Sequence, residues 1–325
     1  MKFATIGTSW ITESFIEASR QTGAAQLYAV YSRSETSAKN FAEKHSATDW
    51  YTDLDNMLDG DADFVYVASP NRMHYEHTLK CIAKKKHVFC EKPMVYTEEQ
   101  WAEIERQANK AGVYVFEGFR HLFSPNYDAL KSHLVQAGKV RSGLLQYVQY
   151  SSKYDAYKSG DVPNVFSKEY AGGALMDLGV YPLSMAIDLF GEPRDIDYHP
   201  VLLDNGVDGS GTLVLTYGDF IVTILCSKIA QATIPSEIHG EDGTLTIDHI
   251  APIQKLSFYN RKTKDQEVVV DQPLPLDMVY ELEDFVRMIE QQDRKQHDKW
   301  MERSRLVAKW SALARKKQGI FFPGE

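Results

Sequence analysis

The sequence predicts an α/β protein in two parts, a doubly wound parallel sheet followed by an α+β domain on a large open, mostly antiparallel sheet. Three observations carry this. Short β-branched runs alternate with helical stretches up to about residue 120, strand follows strand beyond it, and glycine or Asp-Gly turns punctuate the second half. Alternating β and α elements imply right-handed crossovers and a parallel sheet covered on both faces, whereas close-set strands joined by short turns imply hairpins.

In order, the first part reads "KFATI", a helix over 12–22, "QLYAVYS", a helix over 35–45, "DFVYVAS", a helix after Met73, "HVFCE", a helix over 97–111, and "VYVFEG". Ligands of such sheets bind beyond the carboxyl ends of the strands, so "IGTS", "YSRS", "ASPN" and "CEKP" are expected to face one cleft. After a helix over 123–137 come the strands "GLLQYVQYS", "DIDYHPVLL", "GTLVLTY", "FIVTILCS", "PSEIHG" and "GTLTID", with "TYGDF" and "GEDGT" as hairpin connections. One helical stretch, "GALMDLGVYPLSMAIDLFG", sits among them, and helices over 277–292 and 299–318 close the chain. The expected division is 1–120 as the parallel-sheet part and 121–325 as the antiparallel-sheet part, the last helices free to pack back on the first.

The 325 residues, 43% hydrophobic and 25% charged, suit globular domains with sizeable cores, and the net charge of −9 argues against a nucleic-acid or anionic-membrane surface. "MKFATIG" enters a strand directly, so no secretion signal is expected, and no apolar run approaches the roughly 18–20 residues that span a bilayer. Cys81, Cys90 and Cys226 form neither a CxxC pair nor a disulfide framework, which fits reduced thiols in the cytoplasm. His74 and His77 in "HYEH" lack a third partner at ligand spacing and read as surface residues, so no metal is expected. "AKKKH" at 83–87 and "RKTKDQE" at 261–267 read as a solvated helix end and an exposed hairpin loop.

A dinucleotide fingerprint uses one glycine for the tight turn, a second for approach of the pyrophosphate and a third for helix packing. In "FATIGTSWIT" only Gly7 is present. Ser9 and Thr12 take the other two places, small enough to be tolerated and with hydroxyls able to bond phosphate. The loop alone fits a cofactor site and a plain strand-to-helix turn equally. The second strand ends in Ser32 and Arg33 where NAD-specific domains carry an acidic residue about 20 residues after the glycines. Arg33 is either a solvated surface residue or a partner for adenine and a 2′-phosphate, which favours NADP.

Asp177 and Tyr181, four apart in a helical stretch, share a face. Gly179 between them costs about 1 kcal/mol against alanine in a helix, so something is expected to approach the backbone there, and Gly172 and Gly173 read the same way. The alternative is a surface carboxylate and a core aromatic. "YDALK" and "YDAYK" match a Tyr-x-x-x-Lys pair, but with 18 tyrosines about one match arises by chance, and both follow the parallel-sheet pattern.

The segments "VYSRS", "ASPNRMH", "CEKPM", "VFEGFRHLFSP" and "AGGALMDLGVYPL" stand in the order and spacing of the Gfo/Idh/MocA oxidoreductases, and the chain resembles that family over essentially its whole length. The resemblance implies a Rossmann domain that binds NADP, or NAD, through Gly7, Thr8, Ser9, Trp10, Ile11, Ser32, Arg33, Ser69, Asn71, His74, Glu91 and Lys92. Asn71 and His74 would lie near the nicotinamide, Lys92 would touch both cofactor and substrate, and Pro93 would follow a cis bond. It implies oxidation of a secondary alcohol of a sugar, cyclitol, diol or related compound. Tyr181 stands where many members carry histidine and some tyrosine, and it is expected to be the general acid and base, with direct proton transfer by Lys92 as the alternative. A free phenol, with a pKa near 10, is a poor base at neutral pH and needs a cation beside it, for which Lys92 is the candidate. Asp177 would orient the substrate hydroxyl or Lys92. Some relatives bind the dinucleotide without turnover, so a sensor or regulator is the alternative. Relatives pair through the second domain's sheet, and "GTLVLTYGDFIVTILCS" offers alternating apolar residues for a homodimer or larger assembly, or for core burial. Loop 150–170, with Tyr154, Tyr157 and Lys168, is expected to set specificity.

Overall fold

A computed structural model describes residues 1–325, and the chain divides into two compact units, one of Met1–Phe119 with Leu276–Arg305 and one of Arg120–Pro275 with Leu306–Glu325. The first unit alternates β1 (Lys2–Ile6), α1 (Trp10–Thr22), β2 (Gln26–Tyr31), α2 (Glu35–His45), β3 (Asp49–Tyr51), α3 (Leu54–Leu58), β4 (Phe64–Val67), α4 (Asn71–Ala83), β5 (His87–Glu91), α5 (Glu98–Ala111) and β6 (Val115–Gly118). Its strands are all parallel in the order β3-β2-β1-β4-β5-β6, the doubly wound arrangement expected. β3 and α3 went unread: three half-exposed residues give no periodicity, and α3 is one turn capped by the Asp53 side chain. Helix α1 begins two residues earlier than expected and α4 begins at Asn71, which moves both helix ends toward the strand-end loops.

The core of this unit is aromatic. Phe3, Phe15, Phe64, Phe89 and Phe116 are buried together, with the Phe15 ring stacked 3.8 Å from Tyr66. Phe285, from the Leu276–Arg305 segment, closes the cluster at 5.2 Å from Phe64, 5.3 Å from Phe89 and 5.5 Å from Phe116. Such pairs add about 0.5–1.5 kcal/mol each beyond area burial, so the late segment belongs to this core energetically.

The second unit contains α6 (Pro125–Leu134), β7 (Val140–Val148), α7 (Tyr154–Lys158), α8 (Val180–Phe190), β8 (Asp195–Leu202), β9 (Asp208–Thr216), β10 (Ile221–Ser227), β11 (Ser236–Gly240), β12 (Gly243–Ile247), β13 (Lys255–Asn260) and β14 (Gln266–Asp271). The chain then runs through α9 (Met278–Glu290) and α10 (Arg294–Lys317). The sheet order is β14-β13-β12-β11-β7-β10-β9-β8; β7 and β10 pair in parallel and every other neighbour is antiparallel. "TYGDF" and "GEDGT" are the β9–β10 and β11–β12 hairpins. "RKTKDQE" is the β13–β14 connection and the start of β14, a pair of strands the sequence pattern did not reveal. Pro200 is tolerated in β8 because that strand is an edge.

In "GTLVLTYGDFIVTILCS" one set of residues, Leu213, Leu215, Val222, Ile224 and Cys226, is buried, so half of the alternation is core. The other set, including Val214, Thr223 and Leu225, is half-buried, and Ile221 is exposed. α8 is buried from Val180 to Ile187. The stretch Lys168–Phe190 is long and apolar enough to cross a bilayer, against the expectation that no run approaches that length. It is interrupted by left-handed Ala171 and by Gly173, and it is mostly buried, as a core element is.

Candidate active site

At the end of β1, Gly7 has φ +120°, and a Cβ there would lie 2.5 Å from the Ala68 carbonyl oxygen at the end of β4. Glycine is required by the approach of two strand ends, whatever else the loop does. Ser9 caps α1 in extended backbone, and its hydroxyl makes no capping bond. The first N–H groups of a 13-residue helix are thus offered with a free hydroxyl beside them, the usual setting for a phosphate. Thr12 does not join them. It is wholly buried with no partner for its hydroxyl, so it fills the place of the third glycine as packing, a correction to its expected phosphate contact.

Gly7, Thr8, Ser9, Ser32, Arg33 and Ser69 line one cavity of about 270 Å³. Arg33 is exposed in it, and no carboxylate lines this wall to bind a ribose diol. Trp10 is exposed and Ile11 half-buried on the first turn of α1, outside the residues lining that cavity. The donor set suits a dinucleotide: helix N–H groups and hydroxyls for the pyrophosphate, a guanidinium for a 2′-phosphate.

His74 and His77 are buried, contrary to the surface reading. His74, 1% exposed, sets Nδ1 2.9 Å from the Pro93 carbonyl and Nε2 2.6 Å from the Ser69 carbonyl, while His77 Nδ1 lies 2.9 Å from the Ser69 hydroxyl. Burial pulls both rings down to about 4, so they are neutral at pH 7, and His74 then donates its single N–H to one of the two carbonyls while its ring packs against the other. His74 is therefore a strut between the 69–71 loop, where Asn71 opens α4, and the Lys92–Pro93 turn, whose peptide bond is cis as expected. Glu91 accepts the buried Tyr66 hydroxyl at 2.7 Å, and Lys92 is half-buried at the turn.

In the second unit, Asp177 lies in a π-helical turn, Leu175–Gly179, that leads into α8. The start of that turn is held from the sheet, since buried Asp208 of β9 accepts Leu175 N–H at 2.8 Å and the Tyr198 hydroxyl at 2.6 Å. The glycines expected to admit a ligand instead admit the chain itself. A Cβ on Gly173, at φ +127°, would collide with the Asp208 carboxylate; one on Gly172 would meet Val165 at 2.7 Å, and one on Gly179 would meet Cys226 at 3.1 Å.

Asp177 forms a close ion pair with Lys228, just beyond β10, and the Lys228 amine sits 5.5 Å over the Phe166 ring. Lys228 is only 4% exposed and Asp177 26%. The sequence reading missed Lys228, though a signal existed: Val222, Ile224, Cys226 and Lys228 alternate inward, and a lysine in the inward set needs a partner. Tyr181 lies one turn on, its ring 5.0 Å from His121 and 5.4 Å from Tyr147 of β7. His121, also missed, is fully buried with Nε2 3.0 Å from the Tyr181 carbonyl. Asp177 and Tyr181 thus both turn toward the parallel pair β7–β10. Tyr154 and Tyr157 pack on Phe166 at 5.6 and 5.4 Å, which places an aromatic wall beside Lys228. In the chance motifs, Tyr127 bonds Asp188 and Lys158 pairs with Asp155, both structural.

A doubly wound sheet with a helix N-terminus and a guanidinium beyond its second strand defines a dinucleotide-binding protein. The chain belongs to the GFO/IDH/MocA oxidoreductase family: the family's NAD-binding Rossmann domain matches residues 1–119 and its C-terminal domain residues 132–246. It is 40% identical to the scyllo-inositol 2-dehydrogenase (NADP(+)) of Bacillus subtilis over all of this chain and 99% of that protein. Identity to the trans-1,2-dihydrobenzene-1,2-diol dehydrogenase of Xenopus tropicalis is 31% over 68% of this chain and 67% of that one. A 3-ketoreductase from Actinomadura kijaniata, solved with NADP, shares the fold at TM-score 0.82 with 22% identity, covering 97% of each chain.

Proposed function

We propose that this protein is an NADP-preferring dehydrogenase that interconverts a secondary alcohol of a sugar, cyclitol or diol with its ketone. The observation that carries the reading is the Asp177–Lys228 pair set beside Tyr181 on anchored backbone, a titratable set for which a dinucleotide sensor has no use. The named relatives, a cyclitol and a diol dehydrogenase, support the substrate class.

Bound NADP+ would supply the hydride acceptor. The first turn of α1 and the Ser9 hydroxyl hold the pyrophosphate, with Thr8, Trp10 and Ile11 around it. Ser32 and Arg33 take the 2′-phosphate, and Ser69, Asn71, Glu91 and Lys92 complete the binding set, with His74 fixing two of those loops together. Lys92 would hydrogen-bond the reacting hydroxyl and Tyr181, as the phenolate that a neighbouring cation favours, would take its proton during oxidation to become the phenol, returning it during reduction. Asp177, held by Lys228, accepts a bond from a neighbouring hydroxyl; because the pair is neutral overall, it favours an uncharged polyol over an acid or a phosphate ester. Residues 1–120 serve the dinucleotide and 121–325 the substrate. The half-buried face of the large sheet, with exposed Ile221, is the surface through which two copies associate. Three buried, unpaired cysteines suit a cytoplasmic location.

The test is a panel of polyols, sugars and diols assayed with NADP and NAD in parallel, together with cofactor fluorescence. Turnover with an NADP preference supports the reading, and dinucleotide binding without oxidation of any of them establishes the sensor instead.

A further inference from the structure

Beneath the Lys92 turn lies a carboxyl that none of the roles above uses. Glu117, in the third position of β6 and within the "VFEGFR" segment, is 5% exposed. Its Oε1 accepts the Met94 N–H at 2.8 Å, two residues past Lys92. From α10 the Ser304 side chain hydrogen-bonds it, and the Arg303 guanidinium and the Lys92 ammonium both act on its charge. Cys90 of β5 is the other titratable neighbour, and burial holds that thiol neutral. The groups that hold the Glu117 carboxylate, Met94 N–H, Ser304, Arg303 and Lys92, are donors or cations, and Glu91 lies on the paired strand beside the next residue of β6. At a position flanked by buried Val115 and Phe116, an apolar side chain would satisfy the core without a buried acid.

We propose that Glu117 is a positioning residue for Lys92: it pins the Lys92–Pro93–Met94 turn through Met94 N–H, and its negative charge favours the protonated amine. This rests on the role given to Lys92 above. Burial pushes Glu117 up to about 7, so the counter-charge beside Lys92 is present above neutral pH and withdrawn below it.

The experiment labels the lysines by reductive methylation with ¹³C and follows their resonances against pH, Lys92 being assigned by its loss in Lys92→Met. In Glu117→Gln the Lys92 resonance is expected to titrate about 1 pH unit lower than in the wild type. With NADP affinity unchanged within about 2-fold, kcat should fall about 10-fold and the acid limb of kcat/KM should move in the same direction. An unmoved Lys92 titration overturns the proposal whatever the turnover. Should Glu117→Gln fail to fold, Glu117→Met fills the same apolar strand position without a charge and is read the same way; an unmoved Lys92 titration overturns the proposal. A wild type inactive on every alcohol would instead sink the proposed function, leaving the Lys92 titration to decide this inference on its own.

Discussion

Glu117 makes the stability of the first unit depend on pH in a direction opposite to that of its histidines. Its folded pKa is about 7 against the ordinary 4.5, a difference of about 2.5. At 1.36 kcal/mol for each pH unit this corresponds to about 3 kcal/mol. Because the pKa is raised, between pH 4.5 and 7 the folded chain keeps a proton that the unfolded chain has released. The stabilisation is complete below pH 4.5 and is lost as pH rises through 7. His74, His77 and His87 run the other way: burial lowers each to about 4, so their contribution is present above the ordinary 6.5 and is lost as pH falls toward 4. The wild type alone would mix these terms, and Glu117→Gln separates them. The amide keeps an acceptor for Met94 N–H and cannot ionise. Melting temperatures of both proteins at pH 5 and pH 8 are the assay. The wild type is expected to lose about 3 kcal/mol relative to the variant across that interval, roughly 6–12 °C for a unit of this size. A difference between the two proteins that does not change with pH would show that Glu117 carries no such raised pKa.

Arg33→Ala should weaken NADP by about 10- to 100-fold and leave NAD nearly unchanged, read by fluorescence titration, since one charge-assisted contact to a 2′-phosphate is removed. Gly173→Ala should destabilise the second unit by at least about 2 kcal/mol, seen in urea unfolding, because it forces a left-handed alanine into the Asp208 carboxylate. Lys228→Met should raise KM for a polyol and lower kcat at unaltered NADP affinity, because it leaves the Asp177 carboxylate without its cation.

The parallel and antiparallel halves were legible because their periodicities differ and because "TYGDF" and "GEDGT" carry hairpin chemistry. β3 and α3 were not, being only three and five residues long, and neither were β13 and β14, whose pairing is set by neighbours the sequence does not name. At the site, Gly7 was read for the right conformation but for a ligand's sake, and the Ala68 carbonyl is what excludes a side chain. Gly179 likewise makes room for Cys226, a contact between a helical turn and a strand 47 residues later (226 − 179) that no local pattern encodes. His74 and His77 looked superficial because helix spacing does not reveal which face is covered; α4 turns both inward against the loop at Ser69. Lys228 had a signal in its inward register, and Asp177 as its partner did not, since pairing across 51 residues is decided by the fold.

The rate of NADPH formation from a neutral polyol, sugar or diol, measured for the wild type, Lys92→Met and Tyr181→Phe beside their NADP affinities, decides whether these two side chains carry turnover. Wild-type turnover, a loss of about 100-fold or more in each variant, and NADP binding retained in Tyr181→Phe are expected. NADP binding with no turnover across the panel, or turnover retained in both variants, would contradict that expectation.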